Sequence, residues 1–207
     1  FYALLTGVLL IMAIYHIVIY FSSKMIHYLP YSLYIFGLIG LVLAHSGFGG
    51  QYVLPQFIFF NNDGIIVSVG LMVSALSYFI YKFVALDKLG SSFKKSVYIT
   101  IGLGLFNMII PFFTPFYYGI RLLIATITPS LGILLVWGIY AYKKKLPNAR
   151  YLAYAFSTLM VGAILKLLEG VGLLPSYWIF KNGLWVGVVL QLILFALGLS
   201  NLIKTLK

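Results

Sequence analysis

The sequence predicts an all-α, polytopic membrane protein: a bundle of seven transmembrane helices with its N-terminus outside and its C-terminus in the cytoplasm. Three observations predict it. The 207 residues are 63% hydrophobic and only 8% charged, with a mean hydropathy of +1.08, more apolar surface than a soluble domain of this size could bury. The apolar runs are continuous rather than alternating, which excludes a transmembrane β-barrel. The basic residues fall almost entirely in every second gap between those runs.

A helical span needs about 20 apolar residues, and seven spans use the whole length. Span one covers 1–21 and closes at Ser22-Ser23-Lys24. It has no basic region before it and no small-residue cleavage site after it, so it is not a signal peptide. Span two covers 29–46, with Pro30 in its first turn, where a missing N–H is tolerated. The segment from Ser46 to Pro55, rich in glycine, breaks that helix. Span three covers 64–81 and span four 96–116, with Pro111 and Pro115 near its far end. Span five, 122–142, contains Pro129, which predicts a kink. Span six, 151–173, is ended by Gly172 and Pro175, and span seven is 183–203. The seven spans read as one domain over 1–207. Because the chain begins at Phe1 and ends at Lys207 without a helix stop, we read it as an excised membrane region of a longer protein.

Orientation follows from charge. The gaps after spans one, three and five and the C-terminal end carry Lys24, Lys82, Lys88, Lys94, Lys95, Lys143, Lys144, Lys145, Arg150, Lys204 and Lys207, eleven of the fourteen basic residues. The other side has Arg121 and Lys181, and Lys166 lies within span six. Lysine and arginine mark the cytoplasmic side, so the rich side is inside. The net charge of +11 therefore serves topology and anionic membrane lipids, not nucleic acid. Aromatic residues gather at the opposite span ends: Phe57, Phe59, Phe60, Phe112, Phe113, Phe116, Tyr117, Tyr118, Tyr177 and Trp178. They read either as an interfacial belt or as a ligand cup or docking face.

Polar groups within spans are functional suspects. Lys166 and Glu169 are three apart, share one face of span six and can pair. They read either as a neutralised structural pair or, with Arg121, as a ligand anchor or switch. Asn107 and Gln191 are candidates for interhelical hydrogen bonds. His16, His27 and His45 do not converge by spacing, so no metal site is expected, and no cofactor. Gly183 and Gly187 form a small-xxx-small match in span seven, a weak signal among twenty glycines. Leu199, Leu202 and Leu206 continue an apolar stripe beyond that span, as in a helix entering a coiled coil or an ordinary amphipathic helix end. Only three acidic residues exist, Asp63, Asp87 and Glu169, so acid–base catalysis is not expected. A retinal pump would need a lysine inside the last span, where none stands.

A family resemblance adds to this reading. Ala13-Ile-Tyr-His-Ile-Val-Ile-Tyr20, Tyr28-Leu-Pro-Tyr-Ser-Leu-Tyr34, Gly47…Gln51-Tyr-Val-Leu-Pro55, Gly172-Leu-Leu-Pro175 and Gly187…Gln191…Ala196…Leu199 resemble the seven-span region of bacterial 7TM receptors with diverse intracellular signalling modules. The chain departs from that pattern at His16, at Leu54, at Gln191, where a glutamate is usual, and at Asn201-Leu202, where an acidic–basic pair is usual. The resemblance implies an extracytoplasmic sensor domain before span one and a cytosolic signalling module after span seven, in a bacterial inner membrane. A homodimer fits a dimeric output. The function expected is transmembrane signal transduction. The alternative is a small-solute or lipid transporter or a membrane scaffold subunit, which the scarcity of polar groups in spans two, three and five disfavours.

Overall fold

In the computed structural model the backbone is described for residues 1–53, 62–86 and 90–206, and side chains for the same residues except Val53 and 203–206. The elements are α1 (Tyr2–Ser23), α2 (Tyr28–His45), a single π turn (Gly49–Val53), α3 (Asp63–Phe83), α4 (Ser91–Ile109) with a 3-10 turn (Ile110–Phe112), α5 (Phe116–Lys143), α6 (Ala149–Gly170), the short α7 (Trp178–Lys181) and α8 (Gly183–Leu206). Among the described residues there are no strands, and seven helices are long and apolar enough to cross a membrane.

Local chemistry sets the ends. α1 stops at Lys24, whose left-handed backbone (φ 54°) returns its N–H to the Tyr20 carbonyl at 2.8 Å. α3 begins on Asp63, whose carboxylate favours the positive end of the helix dipole. α4 starts at Ser91, five residues before the sequence expectation, with Gly90 (φ 109°) capping it in a backbone conformation that a helix cannot include. Pro115 belongs to the start of α5 and not to the end of α4. Its carbonyl accepts from the N–H groups of Tyr118 and Gly119 at 3.0 and 3.1 Å, and a proline in the first turn loses no helical bond. α5 runs on through Pro129. α6 closes with Gly172 in the left-handed region (φ 78°) and the Leu173 N–H on the Leu168 carbonyl at 2.9 Å, a glycine-terminated helix end.

The chain forms two compact units, and they divide within α5. The first comprises residues 1–82 and 86–135. Here α1 lies along α2. His16 is buried, its Nδ1 donating to the Met12 carbonyl at 2.7 Å, and its ring lies 4.7 Å from that of Tyr31. Tyr31 in turn meets Phe79 of α3 at 5.2 Å. Small residues bring the next helices together. A Cβ on Gly37 would stand 3.1 Å from the Met72 nitrogen, and one on Gly70 would stand 2.6 Å from the Gly104 carbonyl oxygen. The Ser74 hydroxyl donates across to the Ile101 carbonyl at 3.2 Å. In hydrocarbon, association relies on such close packing and on interhelical hydrogen bonds.

The second unit comprises residues 83–85 and 136–207. Its core is the antiparallel pair α6 and α8. α6 shows most of its surface, with Val161, Ile164 and Leu167 more than half exposed, as a lipid-facing helix should.

Candidate functional site

The α6–α8 pair is a glycine seam. A Cβ on Gly187 would stand 2.8 Å from the Thr158 carbonyl oxygen and 3.2 Å from the Gly162 Cα. A Cβ on Gly183 would stand 3.0 Å from the Gly162 carbonyl oxygen, 3.2 Å from the Leu165 Cβ and 3.5 Å from the Lys166 nitrogen. Fifteen residues from Gly183, at the other end of the seam, Gly198 faces the Tyr151 Cβ at 3.1 Å and the ring of Phe83. Only glycine allows main chains so close. The Gly183/Gly187 spacing, weak in sequence, thus lies in the contact itself.

A polar cluster sits at one end of this seam. Lys166 Nζ donates to Glu169 Oε2 at 2.7 Å. The Ser176 hydroxyl donates to the other carboxylate oxygen, Oε1, at 2.8 Å. Glu169 therefore holds its own helix and the segment leading to α7 together, and the charge of Lys181 acts on it as well. The carboxylate side chain is 10% exposed and the lysine 44%. Spacing predicted the pairing of Lys166 with Glu169. Ser176, seven residues on and across a turn, carries no sequence signal that separates it from other loop serines.

The remaining candidates lie elsewhere. Arg121, in the first unit, stacks its guanidinium 4.1 Å above the Tyr117 ring one helical turn back and donates to the Tyr117 hydroxyl. Asn107 is buried in α4 and accepts from the Thr126 hydroxyl of α5 at 3.0 Å. Gln191 is fully buried in α8, four residues after Gly187. The expected aromatic residues Phe112, Phe113, Tyr117, Tyr118, Tyr177 and Trp178 are all more than half exposed. Phe57, Phe59 and Phe60 lie outside the described residues, as do Asp87 and Lys88. Among the described residues no three His, Asp or Glu side chains lie together as a metal would require.

α8 has a second face. Trp185, Val188, Leu192, Phe195 and Leu199 are all buried, and their spacing is 3, 4, 3, 4. Phe195 meets Phe83 edge-on at 6.0 Å. Leu202, half-buried, continues the register by three. Leu206 continues it by four, on helical backbone, with its side chain outside the described residues. The sequence showed only the last three members, because Trp and Phe blur the upper part of the stripe in a helix that is apolar all round.

The family model described as 7TM diverse intracellular signalling matches residues 1–201. No curated protein and no solved structure matches the chain. The match covers all seven hydrophobic helices, including α8 as far as Asn201. This multi-pass integral membrane protein, a signalling-related receptor region, belongs to the 7TM diverse intracellular signalling family.

Proposed function

We propose that the chain relays a signal across a bacterial inner membrane, from an extracytoplasmic sensing domain to a cytosolic signalling module. One observation carries this reading. The buried 3–4 stripe of α8 runs from Trp185 to Leu199 and continues through Leu202 and Leu206 along one unbroken helix. A heptad stripe that leaves a span in register can enter a parallel coiled coil, and a coiled coil transmits a shift or rotation of its helices to a dimeric output.

Two further features support the reading. Lysine and arginine concentrate beside the C-terminal end of α8, and the positive-inside rule supports a cytoplasmic position for that end. The Lys166–Glu169–Ser176 cluster then lies outside, against the first turn of α8. A ligand or sensor surface that opens the cluster in one helix arrangement and not in another shifts the population between them.

The test is signalling output from the protein in its natural genetic context. Lys166→Ala/Glu169→Ala should change basal output or stimulus response at normal membrane abundance. Output identical to the parent would remove the cluster from the mechanism.

A further inference from the structure

A cleft of about 660 Å³ opens where α5 ends and α6 begins, its lining including Tyr142, Lys145, Asn148, Arg150, Tyr154 and Asn201. We propose that it binds the phosphate-bearing headgroup of an anionic membrane lipid. Neither the family match nor the relay reading assigns this site, and the proposal depends on neither.

The walls are built, not incidental. The turn after α5 is held by the Lys145 N–H on the Tyr142 carbonyl at 3.1 Å and the Leu146 N–H on the Ala141 carbonyl at 3.0 Å. Lys145 and Asn148 both adopt left-handed backbone, φ 52° and 57°. The Asn148 side-chain Nδ2 donates to the Phe83 main-chain carbonyl at 3.3 Å, and the Asn201 Nδ2 of α8 donates to the Asn148 side-chain Oδ1 at 3.5 Å. Three parts of the second unit are thereby tied around the cleft.

Its chemistry has one sign. Lys145 and Arg150 are exposed cations, Lys143 and Lys144 flank them, and no carboxylate lines the cleft. Neither Lys145 nor Arg150 makes an ion pair among the described residues. Arginine beside lysine offers a planar fork and a point charge, the pairing suited to phosphate oxygens. A lipid is favoured over free phosphate by size and by setting. The volume falls in the range of small-molecule sites, far beyond one phosphate ion. Tyr142 and Tyr154, 55% and 59% exposed, lie at the ends of two spans, where tyrosine sits at headgroup level. Basic pockets between helix ends are suited to acidic headgroups.

The purified chain in neutral detergent is titrated with phosphatidylglycerol, phosphatidylcholine or inorganic phosphate, and bound lipid is counted by native mass spectrometry. We expect phosphatidylglycerol to occupy one preferred site. Lys145→Gln/Arg150→Gln should weaken that binding about thirtyfold, taking two cations at the membrane surface. Lys94→Gln/Lys95→Gln, two cations that do not line the cleft, remove no headgroup contact and should change it less than about twofold. A circular dichroism melt of each variant without lipid controls for folding. Equal weakening by both double variants would overturn the proposal, as diffuse charge then suffices. Equal retention of phosphatidylcholine would overturn the anionic requirement. Displacement of the lipid by millimolar inorganic phosphate would assign the site to a free anion instead.

Discussion

The contact between α1, α2 and α3 and the contact between α6 and α8 solve the same problem in opposite ways. The first is filled with rings: His16, Tyr31 and Phe79 touch in sequence and all are buried. The second has almost no side chain in it, with Gly162, Gly183 and Gly187 laying main chain on main chain. Interlocked rings fix rotation and register, because moving one helix forces the other's rotamers. A glycine seam fixes distance but presents a smooth surface along which one helix can slide. The aromatic contact is suited to an anchor and the glycine seam to a moving part, and it is the seam that carries the polar cluster at one end and the exit helix at the other.

The largest expected effect is on the seam. Gly187→Leu must displace α6 main chain and should destabilise the protein by about 3 kcal/mol, the upper range for overpacking. Gly102→Leu, where a Cβ meets nothing within 4 Å, should be near neutral, with thermal unfolding in detergent as the readout for both. Similar losses at the two sites would dissolve the distinction. Next, Tyr31→Leu removes the ring that meets His16 and Phe79 and part of a fully buried volume, and should cost about 2 kcal/mol in the same assay. Its effect on signalling should be small, because an anchor is weakened without a moving part being touched. Thr126→Val removes the hydroxyl that Asn107 accepts from. A loss of about 0.6 kcal/mol is expected, the average for hydrogen bonds between membrane helices.

The smallest effect is a pH dependence at the turn before α2. Burial first, and the charge of Lys82 second, hold the His27 imidazole below its ordinary pKa of 6.5. Below about pH 6.5 the unfolded chain then takes up a proton that the folded chain resists. Stability should therefore fall as pH drops through that value and on to the folded pKa, and be unaffected above it. Melting curves of His27→Gln should lack this component. An identical acid slope in the variant would assign it to other groups.

Much of the helical architecture was legible in the sequence, because continuous apolar runs bounded by glycine, proline and lysine have few other solutions in a membrane. Element ends were less so. Pro115 looked like the stop of one helix and is the start of the next, since proline is equally at home after one helix and in the first turn of another. The Lys166–Glu169 contact was visible because helical spacing alone places those residues together. Ser176, Thr126 and the Asn148–Asn201 pair were not, because they join residues across turns or between helices, where spacing carries no information. The stripe of α8 was legible only at its end, where the polar residues that make periodicity visible begin to appear.

The central claim is that α8 moves against α6 when the signal passes. The chain contains no cysteine, so an introduced pair reports without background. A Cβ on Gly183 would lie 3.2 Å from the Leu165 Cβ and 3.0 Å from the Gly162 carbonyl oxygen, so a shift of a few tenths of an ångström, less than the Gly187 contact would demand, brings the pair to the roughly 3.5–4.5 Å a disulfide spans. Leu165→Cys/Gly183→Cys, in the protein in its natural genetic context, should respond to stimulus when reduced and lose that response when oxidised, with each single variant unaffected by oxidation. An oxidised, fully cross-linked receptor that still responds as the parent does would contradict the account.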